Sequence, residues 1–372
     1  MVTPPAEPLT VSPAPAEPPA PDKQSAAIRS HFRRWYLRPW FLLLLAILLP
    51  LGTFCWQMGM RYRAFCVLTP LMQGRTFVMS SFLRSHLEFL PECLYGELWE
   101  AWLILPDDPE AQQQVIDQLR WFPEVSKLGL SPISARYPRL SDSANQKPVQ
   151  LRLPTLTTLE ALNIYGLPLD EPFFSDLHDF PQLRALSLYR VPLSAAAVQK
   201  IGELTSLEAL EIRECGLTDE MLLNLSKLHS LTLLSLSESA LTDRGLAAIS
   251  GYHRLQSLWI GNAKIGTETM TRISRLPLLQ LRLLSVDLDD EALAGLSSEI
   301  PSLYLLELDS DSLSDRSLNV IAIHRGLEHV YMSSSQISTA AAVRLQSLKK
   351  LVDLRINSCE IELPIAAIPK CQ

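Results

Sequence analysis

LEALEIRECGLTDEMLLNLSKLHS, residues 207–230, runs directly into LTLLSLSESALTDRGLAAISGYHR, residues 231–254, and the two stretches align over 24 positions without a gap. Leu207, Leu210 and Ile212 of the first correspond to Leu231, Leu234 and Leu236 of the second, and Leu217 corresponds to Leu241. Working outward in both directions, the same L-x-x-L-x-L spacing starts at Leu159 and returns at Leu183, Leu207, Leu231, Leu255, Leu278, Leu303, Leu327 and Leu351, a period close to 24 residues with one short and one long step around Leu278. The chain is an array of one repeated unit.

Within a unit the alternation of the last two core positions is that of a strand with one buried face. The strand is followed by a small or apolar residue where the chain turns, at Leu167, Val191, Cys215, Ser239, Ala263, Val286, Asp311, Ser335 and Cys359. Thr218-Asp219, Thr242-Asp243, Asp289-Asp290 and Ser314-Asp315 then carry side-chain oxygens suited to capping the free N–H groups of a first helical turn. Leu222 with Leu225, Leu246 with Ile249, Met270 with Ile273, Leu293 with Leu296 and Leu318 with Ile321 supply one apolar face to each short helix. A single strand–turn–helix unit cannot bury that face alone, so neighbours must stack. The expectation is an α/β solenoid, a curved parallel sheet on the concave side and short helices on the convex side, over residues 154–372. Upstream, Val125-x-x-Leu128-x-Leu130 and Trp99-x-x-Trp102-x-Ile104 read as degenerate units forming an N-terminal cap, separated from the array by the polar stretch SDSANQKPVQ, residues 141–150.

Residues 1–38 begin with a Pro/Ala-rich tail that cannot bury enough apolar area to offset chain entropy, and end in a basic flank. Residues 39–60 then run almost entirely apolar and without charge, long enough to cross a hydrocarbon core of ~30 Å as a helix. Trp35, Tyr36, Trp40 and Trp56 stand at the two interfaces. Arg29, Arg33, Arg34 and Arg38 precede the span and Arg61 and Arg63 follow it, a bias that places the N-terminus in the cytoplasm and the repeats outside. An uncleaved signal anchor is favoured over a cleaved signal peptide because no A-x-A-like site follows the apolar run. Residues 61–153 are expected to hold short connecting helices and the cap units, since Pro70 and Pro91 interrupt any long helix there.

The LTDEMLLNLSKLHSL and LTDRGLAAISGYHRL units resemble the leucine-rich repeat superfamily, in its 24-residue L-T-D-x-G-L subtype frequent in bacterial multi-repeat proteins. Arg33-Arg34-Trp35-Tyr36 directly before the apolar span is similar to the membrane-anchored members found in certain bacteria. The resemblance implies a horseshoe fold and protein recognition on its concave face, without specifying a partner.

On such a sheet the residues between the core leucines point outward, so the sequence names the candidate surface. Tyr165, Tyr189, Glu211, Arg213, Trp259, Arg282, Glu307, Tyr331 and Arg355 fall at these positions. Large aromatics and Arg are the residue types of protein-binding hot spots, and Trp259 beside Arg282 is expected to form a cation–π pair. From Pro154 to Gln372 there are 27 Asp and Glu against 18 Lys and Arg, which favours a basic or mixed partner.

Chemistry of other kinds has little support. The net charge of −7 and the lack of clustered Lys and Arg argue against nucleic acid. The seven His and six Cys show no metal-ligand spacing, and no phosphate loop or nucleophile elbow occurs, so neither a cofactor nor catalysis is expected. DSDSLSD, Asp309 to Asp315, lacks the Gly and closing Glu of a Ca²⁺ loop and reads as solvated turn. Cys359 and Cys371 form a possible pair at the C-terminal edge. The leading reading is a membrane-anchored, non-catalytic binder of a protein or surface polymer, in contact with the bilayer through residues 39–60. An accessory component of an envelope enzyme with its site in 61–153, and a cytoplasmic-facing repeat scaffold, are the alternatives.

Overall fold

The computed structural model describes residues 39–68, 77–78, 97–98, 100–133, 148–238, 241–296, 298–334, 336–356 and 359–360, with backbone alone for 39–45, 65, 77–78, 97–98, 339–340 and 359–360. The tail of residues 1–38, most of the stretch between 69 and 99, the greater part of the polar loop at 141–150, and any pairing of Cys359 with Cys371 lie outside the described residues. The chain divides into two compact units, Met1–Gly59 and Met60–Gln372.

An α-helix runs from Pro39 to Leu68, eight residues beyond the expected end of the span. It continues because its last turns have a place to pack within the second unit. Ala64 and Leu68 are fully buried there, and the Arg61 guanidinium pairs with Glu124 and lies 5.1 Å from the centre of the Phe122 ring. Among the described residues no helix is long and apolar enough to cross a membrane. The leucine run of this helix, residues 41–45, is described in its backbone only. The described part of the connector shows that helix end, a two-residue antiparallel ladder of β1 (Phe77–Val78) with β2 (Glu97–Leu98), and a short helix, Pro109–Ile116, whose first turn is capped by Asp108.

Eleven parallel strands follow, each hydrogen-bonded to the next in chain order. They are β3 (Glu100–Leu105), β4 (Lys127–Pro132), β5 (Ala161–Tyr165), β6 (Ala185–Tyr189), β7 (Ala209–Arg213), β8 (Leu233–Ser237), β9 (Ser257–Gly261), β10 (Gln280–Leu284), β11 (Leu305–Asp309), β12 (His329–Ser333) and β13 (Asp353–Ile356). β14 (Cys359–Glu360) pairs antiparallel with β13 and ends the sheet. Register advances by one repeat per strand, as Ala185 pairs with Ala209 and Ala209 with Leu233. At β10 the irregular spacing around Leu278 is absorbed outside the ladder: Ser257 still faces Gln280, and Gln280 faces Leu305. β3 and β4 are full members of this sheet, so the ladder starts at Glu100 and the cap is built from the same unit as the array.

One expectation is corrected in β3. Trp102 and Ile104 were placed in the core, but Ala101, Leu103 and Leu105 are the buried residues, and Trp102 is 43% exposed. The strand is shifted by one position from the Trp99-x-x-Trp102-x-Ile104 reading, and with a side-chain period of two such a shift exchanges the faces completely. Small Ala101 meeting Leu128 across the ladder hides the true register from a leucine pattern.

The leucines of every unit join one continuous core, with Leu210, Leu234, Leu258 and Leu281 each at 0% exposure. The paired helix residues Leu222 and Leu225, Leu246 and Ile249, Met270 and Ile273 are likewise fully buried, as their spacing predicts. The strand exits use two devices. Gly166, Arg190, Glu214, Asn262 and Ser285 turn the chain with left-handed φ between 51° and 64°. At the equivalent places after β8, β11 and β12 stand Glu238, Ser310 and Ser334, which are buried and hold backbone groups with their side chains. Ser310 Oγ donates to the Leu288 carbonyl at 2.7 Å and Ser334 Oγ to that of Leu313 at 2.6 Å. The Glu238 carboxylate accepts from the backbone N–H groups of Cys215 and Gly216.

The Thr-Asp signature does two jobs. Its first residue caps its own helix, as Thr218 accepts from Met221 N–H at 3.5 Å and Asp289 from Ala292 N–H at 2.7 Å. The aspartate that follows reaches the next unit instead. Asp219 accepts from the N–H and hydroxyl of Thr242 at 2.9 and 2.5 Å, Asp243 from Gly266 N–H and the Thr269 hydroxyl at 2.8 and 2.5 Å, and Asp315 from the N–H and hydroxyl of Ser338 at 2.7 and 2.9 Å. Asp290 binds Ser314 in the same way. Gly245 is required by this arrangement, because a Cβ there would collide with the Asp219 carboxylate.

Candidate functional site

Alternation along each strand sends two rows of side chains to the face opposite the core. In the first row the ladder aligns Trp102, Gly129, Asn163, Ser187 and Glu211, then Ser235, Trp259, Arg282, Glu307, Tyr331 and Arg355. In the second, Tyr165 faces Tyr189 and Tyr189 faces Arg213. All nine residues expected on the candidate surface therefore lie on one face of one sheet, where they form three clusters.

At the centre the Arg213 guanidinium stacks on the Trp259 ring at 3.8 Å, with its Nε donating to Ser235 Oγ at 3.1 Å and its Nη2 3.1 Å from Glu211 Oε2. The expected pair of Trp259 with Arg282 is present at 5.9 Å, and Arg282 also stands 3.6 Å from Glu307. The closer partner thus comes from two strands away. Small residues make this possible: Ser235, Ser237 and Gly261 leave open the space that Arg213 and Trp259 fill.

Towards the C-terminal end, Tyr331 donates its hydroxyl to Asp353 at 2.9 Å, and Arg355 lies 3.2 Å from Asp353 and 5.3 Å from the centre of the Tyr331 ring. Burial and then the bond to Asp353 push the Tyr331 hydroxyl pKa up. Burial opposes ionisation of Asp353, but the hydrogen bonds from Tyr331 and Arg355 prevail and hold its carboxyl below the usual range. His329 sits between Tyr304 and Tyr331, with ring centres 6.4 and 6.3 Å away.

Near the N-terminal end, Tyr165 and Tyr189 stack with centres 4.5 Å apart and planes at 26°. Tyr189 donates to Glu214 at 3.0 Å, and Arg190 donates to the other oxygen of Glu214 at 2.8 Å while lying 5.0 Å from the Tyr189 ring centre. Burial, followed by the contact with Glu214, pushes the Tyr189 hydroxyl up to about 12, whereas Arg190 holds Glu214 below the ordinary carboxylate range. Beside this stack opens a hollow of about 770 Å³, lined also by Trp102, Ile104 and Ile133. Trp102 was missed as a surface residue because of the register shift in β3.

The charges on this face are matched to one another: Glu211 with Arg213, Glu307 with Arg282, Asp353 with Arg355. The acid excess of the array resides in part in the aspartates that bond successive helical turns. Among the described residues no group of three or more His, Cys, Asp or Glu is placed to hold a metal ion. The Cys215 thiol is 1% exposed and burial pushes its pKa up to about 12, which removes it as a nucleophile at neutral pH. Asp309 and Asp315, at the two ends of DSDSLSD, accept hydrogen bonds from Ser285 and Ser338 of the neighbouring units.

No family model matches the sequence, and no curated protein does. Among solved structures the chain is similar to internalin C2 of Listeria monocytogenes, with 22% identity over 48% of this chain and 72% of that one and a TM-score of 0.37. It is also similar to the internalin inlF of the same organism, with 17% identity over 75% of this chain and 94% of that one and a TM-score of 0.42. Both likenesses concern fold alone. The parallel strands from β5 onward, recurring about every 24 residues over a leucine core with short helical segments on the other side, have the architecture of a leucine-rich repeat solenoid.

Proposed function

We propose that this chain is a membrane-anchored, non-catalytic leucine-rich repeat protein that recognises another protein through the outward face of its sheet. The observation that carries this reading is the row of aromatic and Arg side chains held rigidly in register, with Trp259 clamped by Arg213 and Tyr331 by Asp353 and Arg355. Preordered aromatic and Arg side chains of this kind lose little conformational freedom on binding and form the energetic centre of protein interfaces. The sheet is a fixed scaffold on which those groups need no rearrangement. The alternative of an enzyme accessory site in 61–153 finds no support in the described part of that segment, where polar side chains serve structure: Gln113 brackets Arg152 with two hydrogen bonds of 2.8 and 2.9 Å.

Anchoring is inferred from the sequence, from the uncharged run of residues 39–60, and the bias of Arg29, Arg33, Arg34 and Arg38 puts the repeats outside the cytoplasm. A C-terminal epitope removed by protease added to intact cells or spheroplasts supports that orientation; protection until lysis reverses it and makes a cytoplasmic scaffold the better reading. Recognition is tested by photo-crosslinkers placed one at a time at Trp259, Arg282 and Tyr331, against controls at Glu220, Arg244 and Lys264 on the turn and helix side. Discrete protein adducts from the first set alone are expected, and adducts only from the second would move recognition to the opposite side.

A further inference from the structure

The hollow beside Tyr165 and Tyr189 differs in character from the rest of the outward face. Its volume of about 770 Å³ lies within the range of small-molecule sites. Trp102 is fixed in orientation, its Nε1 donating to Glu100 at 2.7 Å, and its ring lies where a side chain on Gly129 would otherwise stand. Tyr165 stacks on Tyr189, and both line the hollow together with Ser131 and Pro132. Flat aromatic surfaces therefore border the space at both ends.

Between them, Asn163 and Ser187 pair in register, and neither side chain has a hydrogen-bond partner among the described residues. The nearby carboxylates are already matched, Glu211 by Arg213 and Glu214 by Arg190. Among the described residues lining the hollow there is no cation, and the one carboxylate, Glu211, is already paired with Arg213. A purely aromatic group would cover the rings but leave the Asn163 amide and the Ser187 hydroxyl desolvated and unpaired, which opposes its binding. A ligand that suits all three features is neutral, has an apolar ring face of roughly one aromatic width, and carries hydrogen-bonding groups around its edge.

We propose that this hollow is a binding site for a neutral saccharide, with a pyranose ring face against Trp102 or Tyr165 and its hydroxyls bonded to Asn163 and Ser187. This site goes beyond protein recognition at Trp259 and Tyr331 and does not depend on it. The test uses the full chain in detergent or nanodiscs, titrated with maltotriose, cellotriose, chitotriose and mannotriose and followed by saturation-transfer NMR and calorimetry. At least one trisaccharide is expected to bind, with a loss of tenfold or more in Trp102→Ala and Tyr165→Ala, a smaller loss in Ser187→Val, and no change in Trp259→Ala. Circular dichroism of each variant separates a lost site from a lost fold, and Ser187→Val, which removes the hydroxyl and suits a strand, keeps the test valid if the aromatic variants unfold. Failure of all four sugars to bind overturns the proposal, as does undiminished binding in the folded variants. Binding of N-acetyltryptophanamide in place of any sugar overturns it in favour of a protein side chain.

Discussion

Arg213 engages three groups at once, the Trp259 ring, Ser235 Oγ and the Glu211 carboxylate, and no neighbouring-strand comparison in the sequence would bring it to Trp259. A double-mutant cycle of Arg213→Ala and Trp259→Ala is expected to give a coupling of about 1–2 kcal/mol in unfolding free energy, against less than half of that for Arg282→Ala with Trp259→Ala. His324 provides a second test at this scale. It is fully buried, Nδ1 accepts from Ile300 N–H at 3.1 Å, and burial holds its pKa below the usual histidine value. The unfolded chain takes up a proton there near pH 6.5 while the folded chain resists it, so stability is full above that pH and falls as pH drops below it. His324→Asn, which keeps an acceptor for Ile300 and does not titrate, should show a smaller loss of urea midpoint between pH 7 and 5.5 than the native chain; equal losses would assign the pH dependence to other groups. Residues of the outward face were legible one by one because alternation within a leucine-marked strand leaves no choice of face. Trp102 was not, because β3 marks its core with Ala101 and offers two tryptophans and an isoleucine in a false register.

Four units, those of Asp219, Asp243, Asp290 and Asp315, are secured to their successors on the helical side by an aspartate, and all are joined on the strand side by the ladder. Asp243→Ala removes the acceptor for Gly266 N–H and the Thr269 hydroxyl, and Thr269 is fully buried. A loss of about 1.5–3 kcal/mol in unfolding free energy is expected, measured by urea denaturation, with Asp243→Asn intermediate; no loss would show that solvent replaces the bond without cost. The helix-cap reading of the Thr-Asp pairs was half of the answer. Thr218 and Asp289 do cap their own helices, as the local pattern says, but the second aspartate acts on a residue one repeat later. That partner is visible only once stacking places position i beside position i+24, so a property of the array was written in a dipeptide and could not be decoded from it. The connector shows the opposite case. There the packing of Ala64 and Leu68 extends the helix to Leu68, beyond the expected end at residue 60, since burial outweighs the lack of strong local helix signals, while Pro70 and Pro91 lie outside the described residues.

Across the whole molecule the division of labour follows from the repeat. Leucines build one continuous core, turn residues and aspartates join the units, and the outward rows lie on the face opposite that core. Net charge adds together surfaces with different tasks; the outward charges are matched in pairs and the surplus lies partly in the staples. The central claim is that this face, through Trp259 and Tyr331, holds a protein partner. Its most direct test is the dissociation constant of the partner captured by the crosslinkers, measured for the native chain and for Trp259→Ala, Tyr331→Ala and the double variant, each checked for an unchanged melting transition. The account predicts a weakening of tenfold or more for each single change, about 1.4 kcal/mol or above, and a further loss in the double variant; native affinity in the folded double variant would contradict it.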